Sequence, residues 1–295
     1  MKILLSIVIA NYNYGRFLAE AIKSVLKQCD TPVKVDGRTV LPIRGGLDAV
    51  ELIICDAAST DNSVEVIKKY ERCIAWWCSE PDAGQSAAFN KGFRQAKGEW
   101  LTWLNADELY AAGTLDSLLQ FIKMHPRAKW ITGNYVNFDD KSKKITHVTW
   151  GPHFCIPFLT KKHYPNAVFG STSFWKRELY EEVGPIDEQM RYGMDTEYWN
   201  RLTMAGYKHL RLNHYCWLFR DHDASKTVGV QNEQSIERRR KEDAYQRVKT
   251  GYNFRYSFSN VWFCVWFIWR ILDLSLFVRS YRRWRLIGRD IGILQ

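Results

Sequence analysis

The chain has 295 residues, a length that suits one large α/β domain or one domain with an appendage. Its seven cysteines form no CxxC pair and leave an odd one over, which argues against a zinc site and a disulfide framework and favours a reducing compartment. The net charge of +10 suits nucleic acid or an anionic membrane as a partner, so the distribution of the charge along the chain must decide between them.

The first half of the chain alternates between strand and helix patterns. Its first apolar run resembles a signal peptide, but it continues into residues 11–15 without a small-x-small cleavage site, so we interpret it as a strand. The alternation predicts a doubly wound, mostly parallel sheet, and the Gly/Pro-rich interval around Asp36-Gly37 predicts an inserted hairpin. The predicted strands are Leu4–Ala10, Val50–Cys55, Ala75–Cys78 and Trp100–Leu104, and the predicted helices are Phe17–Gln28, Ser63–Tyr70 and Ser86–Ala96.

Polar clusters at residues 11–13, 56–61 and 105–108 come directly after predicted strands. Open α/β sheets bind their ligands beyond the carboxyl ends of the strands, so these clusters form the candidate site. The sharpest transition is at Asp107-Glu108, where an apolar strand ends in two carboxylates. Such oxygen ligands suit a hard cation, either Mg²⁺ or Mn²⁺, and predict a metal-bridged phosphate ligand. The alternative is that both acids cap the helix that begins near Gly113.

The order of these elements resembles the large family 2 of inverting glycosyltransferases, which has the GT-A fold. Neither GxGxxG after the first strand nor GxxxxGK[ST] occurs, so dinucleotide-binding and P-loop folds lose their main support. Each matching segment is weak evidence alone, whereas the ordered set, from residue 4 to about residue 227, is specific. The segments are Ser6–Asn13, Glu51–Asp61, Ser79–Gln85, Asn90–Gly92, Leu104–Glu108, Met194–Trp199, Arg220–His222 and Ser225–Lys226.

The resemblance implies a nucleotide-sugar donor, usually UDP-linked. Asp56 matches the carboxylate that accepts a hydrogen bond from uracil N3–H, a role that suits an acceptor-only group. An alternative for Asp56 is an Asx turn or a cap. Lys91 lies in one of the matching segments, on the predicted helix after Gln85, but it is as compatible with an exposed helix surface as with a role in the site. The implied donor-binding residues are Ala10, Asn11 and Tyr12 around the base, Asp82 and Gln85 near the diphosphate and ribose, Asn90 on the following helix, and Asn105 and Ala106 after the fourth strand.

The resemblance also implies a metal site. Asp107 matches the last acid of the family's DxD motif, which ligates the Mn²⁺ or Mg²⁺ ion bridging the donor phosphates. The first position is Asn105, which keeps an oxygen but loses a charge, and Glu108 stands where many relatives have a further Asp. His222 matches a histidine that helps to hold the metal or the diphosphate, and the alternative is a structural histidine.

Asp195 matches the catalytic base of the family, although the preceding acid of many relatives is Met194 here. Inversion needs one carboxylate to take the proton of the acceptor hydroxyl as its oxygen attacks the anomeric carbon. The alternative is that Asp195 caps the helix predicted from Thr196, and Glu197 is the reserve candidate for the base.

The last part of the chain is aromatic and basic. Trp262, Trp266 and Trp269 recur at helical spacing, and five arginines with no acid follow at residues 279–289. This pattern favours attachment to an anionic membrane surface, and the uncharged residues 256–269 are too few to span a bilayer. The alternatives are a helix hairpin packed on the catalytic domain and a homo-oligomer interface. Nucleic acid is disfavoured because no nucleic-acid-binding motif accompanies the charge.

The sequence therefore predicts a metal-dependent inverting glycosyltransferase that moves a sugar from a UDP-sugar to a glycan acceptor, plausibly lipid-linked. Residues 1–230 are expected to form the GT-A domain, with the nucleotide-sugar half at 1–110 and the acceptor half at 111–230. Residues 231–295 are expected to form a helical membrane-association or oligomerisation segment on the inner face of the cell membrane. Aromatic residues between Trp130 and Gly193 are assigned to the acceptor side or to ordinary core. The alternative function is a non-catalytic scaffold that binds a sugar nucleotide or a glycan.

Overall fold

The computed structural model describes residues 1–150, 170–225, 233–250 and 275–295. Its centre is a mixed sheet with helices packed on both faces. The strands are β1 (Lys2–Asn11), β2 (Val33–Val35), β3 (Arg38–Pro42), β4 (Asp48–Asp56), β5 (Trp76–Ser79), β6 (Trp100–Asn105), β7 (Leu109–Tyr110), β8 (Trp130–Asp139), β9 (Ile145–Thr149), β10 (Ser173–Lys176) and β11 (Leu210–Asp221). The helices are α1 (Gly15–Leu26), α2 (Ser63–Lys69), α3 (Gln85–Gln95), α4 (Thr114–Met124), α5 (Arg177–Val183), α6 (Met194–Met204), α7 (Glu233–Thr250) and α8 (Ser275–Leu286).

Strands β1, β4, β5 and β6 form a parallel part of the sheet. Strand β1 lies between β4 and β6, and β5 continues the sheet beyond β4 in the same direction. Beyond β6 the antiparallel strand β10 intervenes, and then come β8 and β11, which are parallel to each other. The predicted doubly wound, mostly parallel sheet is confirmed.

Strand β1 is buried on both faces because helices cover both sides of the sheet. Its side chains alternate between two cores, with Ile7 and Ile9 facing α1 and α4 and Val8 facing α3. Burial on both faces explains why the sequence of β1 is a continuous apolar run and does not alternate between apolar and polar residues. At Gly92 the helix α3 touches β1 so closely that an added Cβ would lie 2.3 Å from Val8 Cγ1.

The predicted hairpin is present between β2 and β3. Its turn residues Asp36 and Gly37 both have positive φ angles, of 51° and 76°, the combination that a two-residue hairpin turn requires. Leu41 and Pro42 of β3 pair with β4, so the hairpin extends one edge of the sheet.

An aromatic core lies beneath α6. The Trp103 ring is 5.1 Å from those of Trp175 and Trp199, and Trp130 stacks 5.5 Å from Trp199. Trp175 is fully buried in this core, and Phe174 is fully buried in the core on the opposite face of the sheet. Of the two interpretations left open for these two residues, ordinary core is therefore correct. The aromatic residues at positions 154–169, which have the same two interpretations, lie outside the described residues.

The end of the chain packs on the sheet domain. Ile291 is buried against β7, β8 and β11, and the backbone N–H groups of Ile145 and Ala112 donate to the carbonyls of Arg289 and Leu294. Within the four described ranges, we find no helix whose length and apolar character would let it cross a bilayer. The tryptophan stripe at residues 262–269 falls outside those ranges.

The turn after β4 holds a residue other than glycine in the left-handed region. Ala58 has φ 53°, and the next residue, Ser59, donates its N–H and its hydroxyl to the Asp56 carboxylate. A Cβ in this region costs roughly 1–2 kcal/mol. The hydrogen bonds of Ser59 hold the turn in this conformation in spite of the strain.

We expect Ala58→Gly to stabilise the protein by about 0.5–1 kcal/mol, because relief of the Cβ strain exceeds the entropy that glycine adds to the unfolded chain. Ala57→Gly is the matched control, since Ala57 does not have a positive φ, and it should destabilise. Chemical unfolding midpoints measure both. A lower midpoint for Ala58→Gly would contradict the strain.

Candidate active site at the carboxyl ends of the parallel strands

The register of the parallel strands brings two of the predicted clusters together. Asn11 aligns with Asp56 across β1 and β4, and its side-chain N–H donates to Asp56 Oδ1 over 2.6 Å. On the other side of β1, Ala10 aligns with Asn105 of β6. The third cluster therefore ends at the same edge of the sheet.

The Asp56 carboxylate is the centre of a hydrogen-bond network. It is 1% exposed, and Oδ2 accepts from the Ser59 N–H at 3.0 Å and from the Ser79 hydroxyl at 2.6 Å. The bond from the Ser59 N–H, three residues after Asp56, is a capping-type contact, which was one of the two alternatives for this residue. Tyr12 is 60% exposed beside this network, and Ala10 is half-buried. A direct contact between Asp56 and uracil stays a prediction.

A second network joins the end of β6 to helix α3 and to the turn at residues 170–172. Gln85 Nε2 donates to Asn105 Oδ1 over 2.6 Å, and Asn105 Nδ2 donates to Glu108 Oε1 over 2.9 Å. The Ser171 hydroxyl donates to Glu108 Oε2 over 2.9 Å. Burial, followed by the charge of Asp107, raises the pKa of the Glu108 carboxyl. Glu108 therefore points into the protein, away from solvent.

The two acids after β6 do not cap α4, because the N-cap residue of that helix is Gly113. The capping interpretation is wrong here. Instead, Asp107 Oδ2 lies 3.0 Å from His222 Nε2, so the two predicted metal ligands are adjacent. His222 Nδ1 in turn lies 3.4 Å from an Arg16 guanidinium nitrogen.

A buried arginine fixes the backbone of this pair. Arg220 is 1% exposed, and its Nε donates to the Asp107 carbonyl over 2.9 Å. Its other nitrogens donate to Glu20 at 2.5 Å and to Asp140 at 2.6 Å. Its guanidinium also lies 4.7 Å from the Phe17 ring centroid. Such a fully paired arginine holds the loop after β6 against α1 and β11.

The chemistry of Asp107 and His222 fits a metal shared with a ligand. Among the described residues, no group of three or more His, Cys, Asp or Glu side chains is placed to hold a metal ion. Mg²⁺ sites that serve phosphate ligands need only one or two carboxylates from the protein, since phosphate oxygens and water complete the coordination. The carboxylate of Asp107 and the imidazole of His222, which are in contact, would be the metal ligands that the protein contributes.

Asp195 lies in the first turn of α6, after the N-cap residue Gly193. Its carboxylate accepts hydrogen bonds from the N–H groups of Thr196, at 2.8 Å, and Gly170. Burial raises its pKa, and these N–H groups offset only part of that effect. The reserve candidate Glu197 is fully buried and paired with Arg201 at 2.8 Å, so it is poorly placed to meet an acceptor.

Two predicted donor-binding residues make contacts within the protein. Asp82 is half-buried and accepts from the Gly84 N–H at 2.8 Å, which shapes the loop before α3. Asn90 is buried and uses both side-chain polar atoms on Ile186, with N–O distances of 2.8 and 2.9 Å. It ties α3 to the segment after α5, and a direct contact with the donor stays a prediction for both residues.

A family model described as glycosyl transferase family 2 matches residues 6–184, more than half of the chain. The chain belongs to glycosyl transferase family 2. The glycosyltransferase GlyG of Streptococcus pneumoniae serotype 4 (strain ATCC BAA-334 / TIGR4) is 26% identical over 198 residues, which are 62% of this chain and 60% of that protein. A PGL/p-HBAD biosynthesis glycosyltransferase of Mycobacterium bovis (strain BCG / Pasteur 1173P2) is 28% identical over 154 residues, 50% of this chain and 56% of the relative. The chain thus spans less than two thirds of both family 2 relatives.

Solved structures show the same fold. Residues 1–349 of S. aureus TarS in complex with UDP-GlcNAc give a TM-score of 0.60 at 14% identity, over 81% of this chain and 65% of that chain. The mannosyltransferase PcManGT from Pyrobaculum calidifontis, in complex with GDP-Man and Mn²⁺, gives 0.54 at 16% identity, over 84% and 64%. The family 2 chain therefore has the predicted GT-A fold.

Sequence reasoning missed several contacts that organise the site of this family 2 chain. Arg16 lies beside His222, and no motif reveals that contact. The hydrogen bond from Ser171 to Glu108 likewise depends on the fold and not on a motif. Arg220 belonged to a matching segment, but its role as the buried partner of the Asp107 backbone depends on contacts with α1.

Proposed function

We propose that this family 2 protein is an inverting glycosyltransferase that transfers a sugar from a UDP-sugar to a glycan hydroxyl. The observation that carries the proposal is the chain of contacts from the Asp107–His222 pair to Asp195. Glu108, next to Asp107, accepts from Ser171, and Gly170, next to Ser171, donates to Asp195. These contacts support the proposal because they connect the proposed metal pair to the proposed base.

The nucleotide would lie over the ends of β1 and β4. The exposed ring of Tyr12 offers a face on which uracil can stack. Uracil N3–H would replace the Ser79 hydroxyl as the donor to Asp56 Oδ2, because each oxygen of that carboxylate already has two partners. Asn105 and the loop at Asp82 would then meet the ribose and the diphosphate.

Asp107 and His222 would hold a Mn²⁺ or Mg²⁺ ion against the diphosphate. When bound, such an ion supplies positive charge that stabilises the departing UDP. The residues of the chain then have three tasks. Arg220 fixes the Asp107 backbone, Asn105 orients the donor, and Asp195 takes the proton of the acceptor hydroxyl as its oxygen attacks the anomeric carbon.

We propose that the acceptor is a lipid-linked glycan and that the enzyme is attached to the inner face of the cell membrane. Support comes from α8, where Trp284 is 76% exposed and Tyr281 is 58% exposed beside the exposed Arg283 and Arg285. Amphipathic rings next to guanidinium groups suit the boundary between headgroups and acyl chains of an anionic bilayer.

We expect Asp107→Ala to abolish the part of UDP binding that depends on Mn²⁺, because Asp107 supplies the only carboxylate of the proposed metal pair. Titration calorimetry of UDP with and without Mn²⁺ measures the effect, and the exposed Asp116→Ala is the matched control. If Mn²⁺ leaves the UDP affinity of the wild type unchanged, or if it raises the affinity of Asp107→Ala as much as that of the wild type, the metal assignment is wrong.

We expect Asp195→Asn to bind UDP like the wild type but to lose 10²- to 10⁴-fold or more in transfer rate, since the amide cannot accept the proton. Release of UDP from a panel of UDP-sugars, with water as the acceptor, measures the rate, and the exposed Glu181→Gln is the control. A rate near that of the wild type would place the base elsewhere.

The pH profile of the wild type tests the same assignment. Burial raises the pKa of Asp195, so the base keeps its proton to a higher pH than an ordinary aspartate. The rate should therefore fall as the pH is lowered, with a midpoint above about 4. A flat profile down to pH 4 would contradict a carboxylate base whose pKa is raised.

We expect the double variant Tyr281→Ala/Trp284→Ala to sediment less with vesicles that contain anionic lipid than the wild type does. Leu47→Ala, which removes an exposed apolar side chain elsewhere, should change nothing. Added salt should release the wild type in part, because each basic residue near the surface contributes about 1 kcal/mol that salt screens. Absence of sedimentation of the wild type with anionic vesicles would end the membrane proposal.

A further inference from the structure

A carboxylate from α7 holds the loop that leads to the proposed base. Glu242 is 6% exposed, and its two oxygens accept from three consecutive backbone N–H groups. The N–O distances are 2.9 Å to Arg191, 2.8 Å to Tyr192 and 3.4 Å to Gly193. Gly193 is the N-cap residue of α6, and Asp195 is the second residue of that helix.

This contact lies outside the region that the family model matches. The match ends at residue 184, whereas both the 191–193 loop and Glu242 come later in the chain. The sequence analysis places α7 in the predicted membrane-association or oligomerisation segment 231–295, on the basis of the tryptophans and arginines that follow it. The structure places one carboxylate of α7 against the loop before α6.

The charge of Glu242 is well matched to its surroundings. Arg238, one turn earlier on α7, donates to Glu242 Oε1 over 2.9 Å. Burial alone would raise the pKa of Glu242, but the N–H of Tyr192 and the side chain of Arg238 bring it below its usual value. The ionised carboxylate is therefore the form that satisfies the loop.

Other side chains of α7 hold the same segment at both ends. The Tyr245 hydroxyl donates to Asp187 over 2.9 Å, and Lys249 forms ion pairs with Asp187 and, at 2.9 Å, with Glu197. Arg238 also donates to the Gln189 carbonyl over 3.1 Å. Residues 187–197 are thus fixed by α7 before, within and after the 191–193 loop.

We propose that Glu242 is a positioning residue for Asp195, so that this side chain of α7 supports the proposed base from outside the site. This inference rests on the proposed role of Asp195 as the base. The Gly170 N–H fixes Asp195 from one side, and Glu242 fixes the N-terminus of its helix from the other. A misplacement of about 1 Å can cost 10²-fold in rate, so a loosened loop should slow transfer without weakening donor binding.

The experiment compares Glu242→Ala and Glu242→Gln in the full chain. Glu237→Gln is the matched control, because Glu237 is exposed on the same helix and pairs only with Lys241 among the contacts that the structure describes. Hydrogen exchange of the peptide that covers residues 187–197 reads the order of the loop. Calorimetry measures the affinity for UDP, and the kcat and KM of UDP-sugar hydrolysis measure catalysis and donor use.

The expected results separate positioning from general stability. Glu242→Ala should speed exchange in the 187–197 peptide and lower kcat about 10- to 100-fold, with UDP affinity and donor KM within twofold of the wild type. Glu242→Gln keeps one carbonyl acceptor and should recover part of kcat. In the Asp195→Asn background, Glu242→Ala should cause no further loss, because the side chain acts through Asp195.

Two outcomes overturn the inference. In the first, Glu242→Ala has the kcat of the wild type while Asp195→Asn is inactive. This result would refute the role of Glu242 and leave the assignment of Asp195 as the base intact. The other is equal loss of UDP affinity, donor KM and rate in Glu242→Ala with no recovery in Glu242→Gln, which marks a stability role. If Asp195→Asn itself keeps its activity, the proposed function fails instead.

Discussion

The parallel pairing of β1 with β4 and β6 is the constraint on which the site depends. This register aligns Asn11 with Asp56, 45 positions later in the chain, and Ala10 with Asn105, so polar residues from distant parts of the sequence end at one edge. A one-residue slip would turn these side chains to the opposite faces of the sheet. The buried side chains of β1, on both faces, make such a slip costly.

Burial at this edge divides the carboxylates into two groups. Asp56 and Glu108 accept several hydrogen bonds from the protein and hold strand ends and turns in place. Asp107 and Asp195 have fewer partners from the protein and remain available for chemistry. An unpaired carboxylate is costly to bury, which explains why the structural acids occur where serine and asparagine side chains surround them.

The meeting of the three polar clusters at one edge of the sheet could be predicted from the sequence, because each cluster is recognised from local pattern alone. Each cluster follows an apolar strand directly, and the turn residues Asp36 and Gly37 predict their hairpin without any distant contact. The roles of Arg220 and Ser171 could not be predicted, since they depend on which residues meet across the fold. Capping by Asp107 was a reasonable alternative on local pattern, and only the position of the N-cap at Gly113 excludes it.

The segment around Asp195 depends on distant contacts, because it has little regular structure of its own before α6. A loop with free backbone N–H groups needs acceptors from elsewhere, and α7 supplies them through Glu242. Charged side chains of α7 also form ion pairs with Asp187 and Glu197, on either side of this loop. Charge along a sequence therefore indicates a helix that makes ionic contacts but leaves the partners of those contacts open, and here the described partners lie in the segment that leads into α6.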